Sequence, residues 1–170
     1  MDESRAPEYE EHFTAFIDLL GFSEISTGAD RDTRQKVLDF LVSLADRRSE
    51  FNIESRPDRP GTTYMKPAVS TFSDHIAISY PIVQISASNG FDDSRTADYV
   101  FYSFKSLLTE IAREALSIGF LIRGGATIGK LYHSGGVIFG EALVEAFEIE
   151  SRTSVYPRVV LSSNVCNREN

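Results

Sequence analysis

Residues Phe13 to Asp18 (FTAFID) form a short apolar run of β-formers that closes on a carboxylate, and Gly21 breaks the pattern just beyond it. The run predicts a strand ending at Asp18. From Asp30 onward Val37, Leu38, Leu41, Leu44 and Ala45 recur at helical spacing, with Arg34, Lys36, Asp39 and Asp46 on other faces, which predicts an amphipathic helix. Arg56 to Thr63, with Pro57, Pro60 and Gly61, reads as an irregular surface loop. Met65 to Phe72 and Ile76 to Tyr80 read as strands around the polar break Ser73-Asp74, hence as a hairpin. Val100, Phe101, Phe104, Leu107, Leu108, Ile111, Ala112 and Ala115 then share one helical face, and Gly119 is placed to end that helix. Phe120 to Ile128 reads as a strand, Gly140 opens a helix running to about Ser151, and Arg158 to Leu161, after Pro157, reads as a last short strand.

The order β-α-β-β-α-β fits an α+β fold with a ferredoxin-like core plus additions. A right-handed crossover in that topology sets the first strand parallel to the hairpin's first strand, and the hairpin's second strand runs back between them. The end of the first strand and the hairpin tip therefore share one edge. Asp18 lies at the former and Asp74 at the latter. A buried carboxylate is costly unless hydrated, paired or bound to a metal. Two converging carboxylates suit hard divalent cations, and a pair of ions roughly 3.5–4 Å apart activates an attacking oxygen and neutralises a pyrophosphate leaving group. The other reading of the two acids is a strand cap and a turn residue.

Composition narrows the class. At 170 residues and 42% hydrophobic content the chain is expected to form a single domain over 1–170, with an ordered core of about 12–163. A net charge of -8 argues against a nucleic-acid or anionic-membrane partner, which usually requires a basic face. Cys166 is the single cysteine, so no internal disulfide or cysteine metal cage can form. No apolar run reaches the roughly 20 residues of a membrane span, and the acidic start MDESRAPEYEEH is unlike a signal peptide, so a cytoplasmic location is expected.

Three ordered segments carry a resemblance. FIDLLGFSEIS resembles the first metal-binding motif of class III nucleotidyl cyclases, and TFSDHIAIS resembles their second, a hairpin usually tipped by Gly-Asp. IRGGATIGKLYHSGGVIFGEALVEAFEIESR, followed by YPRVVLSS, resembles the family's Arg-x-Gly strand, its Gly-bounded turn and the helix after it. Within the family, GGATIGKLYH, FGEALVEAFEIES and YPRVVLS are most similar to the bacterial Pycsar cyclases, which make cyclic pyrimidine mononucleotides in anti-phage defence. The motifs span Phe13 to Ser162.

The resemblance implies a class III cyclase fold and a homodimer with each site between subunits. It implies two Mn²⁺ or Mg²⁺ ions per site, held by Asp18, Asp74 and the carbonyl of Leu19, and a nucleoside triphosphate substrate, UTP favoured over CTP. Gly21 and Phe22 belong to the nucleotide-binding corner it describes, and Arg123 and Arg152 are implied catalytic cations, with Lys130 and Arg158 further candidates. Ser70 stands where purine cyclases place a base-reading Lys or Glu, and Glu141 approximates a second base-contacting position. The purine cyclases' transition-state Asn and Arg fall on Val144 and Glu148, a departure that leaves positive charge to be supplied elsewhere. The product would act through a separate effector protein that reads the cyclic nucleotide.

Plainer readings stand beside these. Arg123 reads also as a strand-surface or interface charge, His75 as a hairpin residue beside the turn, His133 as a turn residue, Phe101, Phe104 and Phe147 as core, and Lys105, Arg113 and Glu114 as solvated faces. Gly124-Gly125 and Gly135-Gly136 fit neither a P-loop nor a dinucleotide fingerprint, so tight turns or close packing explain them better. The alternative functions are a purine cyclase, a catalytically degenerate cyclase-like regulatory module, and another metal-dependent nucleotidyl transferase. The last lacks its usual Gly-Gly-acid-acid hairpin here.

Overall fold

The computed structural model describes residues 9–28, 30–46, 67–82 and 93–166. The expected loop Arg56 to Thr63 lies outside the described residues. Strand β1 (Glu10–Leu20) is followed by α1 (Phe22–Gly28), α2 (Arg31–Asp46), the hairpin β2 (Ala68–Phe72) and β3 (His75–Pro81), and α3 (Asp93–Ser117). Then come β4 (Leu121–Ser134), β5 (Val137–Phe139), α4 (Glu141–Arg152), β6 (Val159–Leu161) and α5 (Ser163–Cys166). The sheet order is β2-β3-β1-β4-β5, with β6 pairing β4 in parallel. β3 lies antiparallel to both β1 and β2, which makes β1 and β2 parallel with the hairpin's return strand between them, as the ferredoxin-like topology requires.

Alternation along β1 explains the two layers. Phe13, Ala15, Ile17 and Leu19 enter the main core with Ile76 and Ile78 of β3, Val37, Phe40 and Leu44 of α2, and Phe104 and Ile111 of α3. The opposite face of β1 carries His12, Thr14, Phe16 and Asp18. There Phe16 packs with Ala77 and with Ala146 of α4. Gly125 permits this approach: a Cβ on it would meet Ile149 Cβ at 2.7 Å and the Glu150 backbone nitrogen at 2.8 Å. Close packing therefore accounts for Gly124-Gly125. Gly119 ends α3 in the left-handed region (φ 94°), with Phe120 N donating to Ala115 O at 2.9 Å and Gly119 N to Leu116 O at 3.1 Å. This is a Schellman cap. Asp30 caps α2 through Thr33 N (2.9 Å) and Thr33 Oγ1 (3.0 Å).

Several boundaries differ from the sequence expectations. β1 continues past Asp18 to Leu20, because Leu19 and Leu20 pair with Ile122 and Leu121 of β4. In α2 the inward position is Phe40, and Leu38 is exposed. His133 is a strand residue rather than a turn residue: β4 runs on to Ser134 and folds back through Gly135-Gly136 onto β5. Phe104 is core and Phe101 packs against it, but Phe147 is 47% exposed and meets Phe16 edge-on at 5.5 Å. Among the described residues no helix is long and apolar enough to cross a membrane.

His12 yields a pH prediction. It is buried and its Nδ1 has no hydrogen-bond partner, and burial lowers its pKa from 6.5 to about 4. Below pH 6.5 the unfolded chain gains a proton that the folded chain refuses until pH 4, so this histidine lowers stability as pH falls through that window. The loss attributable to it is about 3 kcal/mol by pH 4. Urea unfolding of wild type and His12→Gln across pH 4–7 should show the variant lacking this part of the slope; parallel curves would refute it.

Candidate active site

Asp18 and Asp74 meet at one edge of the sheet. The hairpin turns over two residues, Ser73 and Asp74, with Ser73 held at φ 56° and Asp74 at negative φ, the φ pattern of a type II′ turn. Leu19 N donates to the Asp74 carbonyl at 2.9 Å, which ties the tip to the end of β1. Asp18 lies opposite His75 in the β1-β3 register. Ligand atoms of Asp18, Asp74 and His75 all fall within 4.8 Å of one another, and His75 Nδ1 lies 3.0 Å from Asp74 Oδ1. This cluster of two carboxylates and an imidazole suits a divalent cation.

Arg123 closes the inner side of the cluster. Asp18 and Arg123 are register partners on β1 and β4, and Arg123 Nη2 donates to Asp18 Oδ2 at 2.9 Å. Its Nε lies 2.7 Å from Glu150 Oε1 of α4, an ion pair whose angle is too bent for a hydrogen bond. Glu150 is 4% exposed, so the pair links the site to the buried side of α4. Two carboxylates, Asp18 and Glu150, thus share one guanidinium while Asp74 adds a third beside Asp18, a surplus of negative charge that a bound cation would relieve. Sequence reasoning did not single out Glu150. Its spacing from Ala142 and Ala146 on the inward stripe of α4 was the available signal.

The floor beside the acids is aromatic. Phe16, Phe72 and His75 contact one another, the Phe72 and His75 rings stacked with centroids 5.5 Å apart. Ser70 lies further along the same face. It is two strands over from Asp18 and offset by two residues along them, roughly 12 Å by strand spacing and rise. His133 Nε2 sits 2.9 Å from Ser70 Oγ, and His133 Nδ1 sits 2.9 Å from Ser79 Oγ. Neither Ser79 nor His133 had been read as part of a site.

The remaining positions lie apart from this cluster. Glu141 opens α4, its Oε1 accepting from Lys130 N at 3.2 Å. Val144 and Glu148 project outward, and Glu148 pairs with Arg152 at 3.5 Å on the exposed side of the helix. Gly21 follows β1 at φ 89° and Phe22 starts α1, its ring against Phe120. Arg158 is exposed, near the Tyr156 ring.

No family model matches the chain, and no curated protein matches it in sequence. Solved structures do match. The guanylyl cyclase Cya2 superposes with a TM-score of 0.55 at 16% identity, covering 98% of this chain and 81% of that one. The fold is that of a nucleotidyl cyclase catalytic domain. The catalytic core of a rhodopsin-guanylyl cyclase with converted specificity, in complex with ATPalphaS, matches with a TM-score of 0.52 at 16% identity, over 94% of this chain and 80% of that one. In this cyclase fold the sheet edge that carries Asp18 and Asp74 is the part of the chain where acidic side chains of β1 and the β2-β3 hairpin come together.

Proposed function

We propose that the chain is a metal-dependent nucleotidyl cyclase that converts a pyrimidine nucleoside triphosphate, UTP in preference to CTP, into the 3′,5′-cyclic monophosphate and pyrophosphate. The observation that carries this reading is the meeting of Asp18 and Asp74 at a hairpin tip tied to β1, in a chain with the cyclase fold. Asp18, Asp74 and the Leu19 carbonyl would hold two Mn²⁺ or Mg²⁺ ions. Bound there, the ions would acidify the ribose 3′-hydroxyl and neutralise charge on the triphosphate.

The residues of the chain do the positioning. The 3′-oxygen forms a bond to the α-phosphorus in line with the departing pyrophosphate, so no side-chain nucleophile takes part. Arg123 holds the Asp18 carboxylate in its orientation, and Glu150 holds Arg123. Ser70 stands at the distance of a base from that corner, and its hydroxyl both donates and accepts. Gly21 and Phe22 shape the turn beyond β1, and Glu141 is assigned to the base-contacting region.

The site is assigned to a homodimer interface. Exposed Val137, Phe139, Val144 and Phe147 lie on β5 and α4, Phe139 at 70% and Val144 at 59% exposure, an apolar surface of the kind that partners cover. Arg152 on that outer side of α4 supplies positive charge to the partner's triphosphate. The cyclic product is assigned a messenger role in anti-phage defence, acting through a separate effector. Pyrophosphate release from UTP with Mn²⁺ tests the reaction: the account expects release that stops with EDTA and returns with added Mn²⁺, and specific activity that falls on dilution.

One observation favours a second reading. Outward-facing Val144 and the Glu148-Arg152 pair occupy α4 positions that would need hydrogen-bonding or free cationic groups, as a nucleotide-binding module without turnover would allow. Nucleotide binding without any metal-dependent pyrophosphate release would establish that reading.

A further inference from the structure

We propose that His75 is a direct ligand of an ion held by Asp18 and Asp74, and that this nitrogen donor makes the site prefer Mn²⁺ to Mg²⁺. The inference rests on the reading of the two acids as metal ligands.

His75 opens β3 directly after the hairpin turn. It is the register partner of both Asp18 on β1 and Phe72 on β2, so the three side chains leave the same face of the sheet. Two aromatic rings fix the plane of the imidazole. Phe72 stacks on it with the planes 19° apart, and the Phe16 centroid lies 5.0 Å away. So held, the ring places Nδ1 3.0 Å from Asp74 Oδ1, in a group that Asp18 completes and whose ligand atoms all lie within 4.8 Å of one another. Adjacent ligands on an octahedral ion with bonds of about 2.1 Å stand roughly 3 Å apart, so the spacing of the imidazole and Asp74 is that of two neighbouring ligands. Arg123 takes Asp18 Oδ2 and leaves Oδ1 to an ion.

The donor set is then two carboxylate oxygens and one imidazole nitrogen. Mg²⁺ favours oxygen ligands and gives up its waters reluctantly, so an imidazole adds little to its binding. First-row transition-metal ions bind imidazole more strongly, and Mn²⁺ accepts mixed oxygen and nitrogen shells. A hydrogen bond from His75 to Asp74 explains the same 3.0 Å without an ion, but the two roles differ in sign. Removing a hydrogen-bond partner frees Asp74 and leaves ion binding unchanged or tighter. Removing a ligand weakens it.

His75→Phe separates the two roles, because it keeps a ring between Phe16 and Phe72 and removes both nitrogens. The probe is Mn²⁺ alone, at saturation and pH 8. Electron spin echo modulation of the bound ion should show coupling to ¹⁴N in the wild type and the ¹⁵N pattern in ¹⁵N-histidine-labelled protein. The chain holds three histidines, and loss of the coupling in His75→Phe assigns it. Mn²⁺ titrations with Mg²⁺ as competitor should show Mn²⁺ affinity, and with it the preference over Mg²⁺, lower by at least about tenfold in His75→Phe, since even a group that only orients a ligand is commonly worth roughly 10–100-fold. Bound Mn²⁺ that depends on Asp18 but shows no nitrogen coupling, or an affinity that His75→Phe leaves unchanged or raises, would overturn the inference and leave the acids as ligands. A wild-type protein that binds no Mn²⁺ would overturn it together with the reading of the acids. Nitrogen-coupled Mn²⁺ without turnover of any nucleotide would instead fault the cyclase reading and leave the assignment of His75 standing.

Discussion

Asp18→Asn should leave the protein folded and reduce nucleotide turnover by at least about 10³-fold, equivalent to roughly 4 kcal/mol of transition-state stabilisation. The substitution keeps the shape of the side chain and removes the charge that a divalent cation requires. Arg123 retains its ion pair with Glu150, so β4 and α4 stay joined while the hydrogen bond to position 18 weakens. Circular dichroism should be that of the wild type, and a Mn²⁺ titration followed by electron paramagnetic resonance should show lost binding. Asp74→Asn should behave alike, since its carboxylate shares the cluster. Wild-type turnover in Asp18→Asn would remove the metal role from this residue.

Gly125→Ala should cost the fold about 3 kcal/mol or more and lower the melting temperature by about 10 °C. The added methyl would run into the Ala146 carbonyl, Ile149 Cβ at 2.7 Å and the Glu150 nitrogen at 2.8 Å, so α4 must lift from the sheet. Lifting α4 also withdraws Glu150 from Arg123, which should lower turnover in the molecules that remain folded. Gly28→Ala is the control, because nothing lies within 4 Å of the methyl it adds at the end of α1. A Gly125→Ala melting point within 2 °C of wild type would contradict the packing account.

What the sequence disclosed follows the strength of its local signals. The long apolar face of α3 and the run Phe13 to Asp18 are periodic enough to be read directly, and the chain order of the strands then placed Asp18 and Asp74 at one edge. The polar helix α1, FSEISTG, buries no residue and so has no periodicity to reveal it. The extension of β4 past Ile128 passes through Gly129 and Lys130, which interrupt the apolar run, and β5 is only three residues long beyond the turn at Gly135-Gly136, too short for a pattern of its own. His133 then fell in an expected turn. Its contacts with Ser70 and Ser79 depend on residues more than fifty positions away. Arg123 was visible as a cation on a strand, but its placement between Asp18 and Glu150 is a product of register and helix docking together.

The most direct test is incubation of the purified protein with ATP, GTP, CTP and UTP separately, with Mn²⁺, followed by mass analysis of the products. The account predicts cyclic UMP and pyrophosphate from UTP, less cyclic CMP from CTP, and no product in EDTA. Absence of a cyclic nucleotide from all four substrates, with Mn²⁺ bound at Asp18 and Asp74, would contradict it.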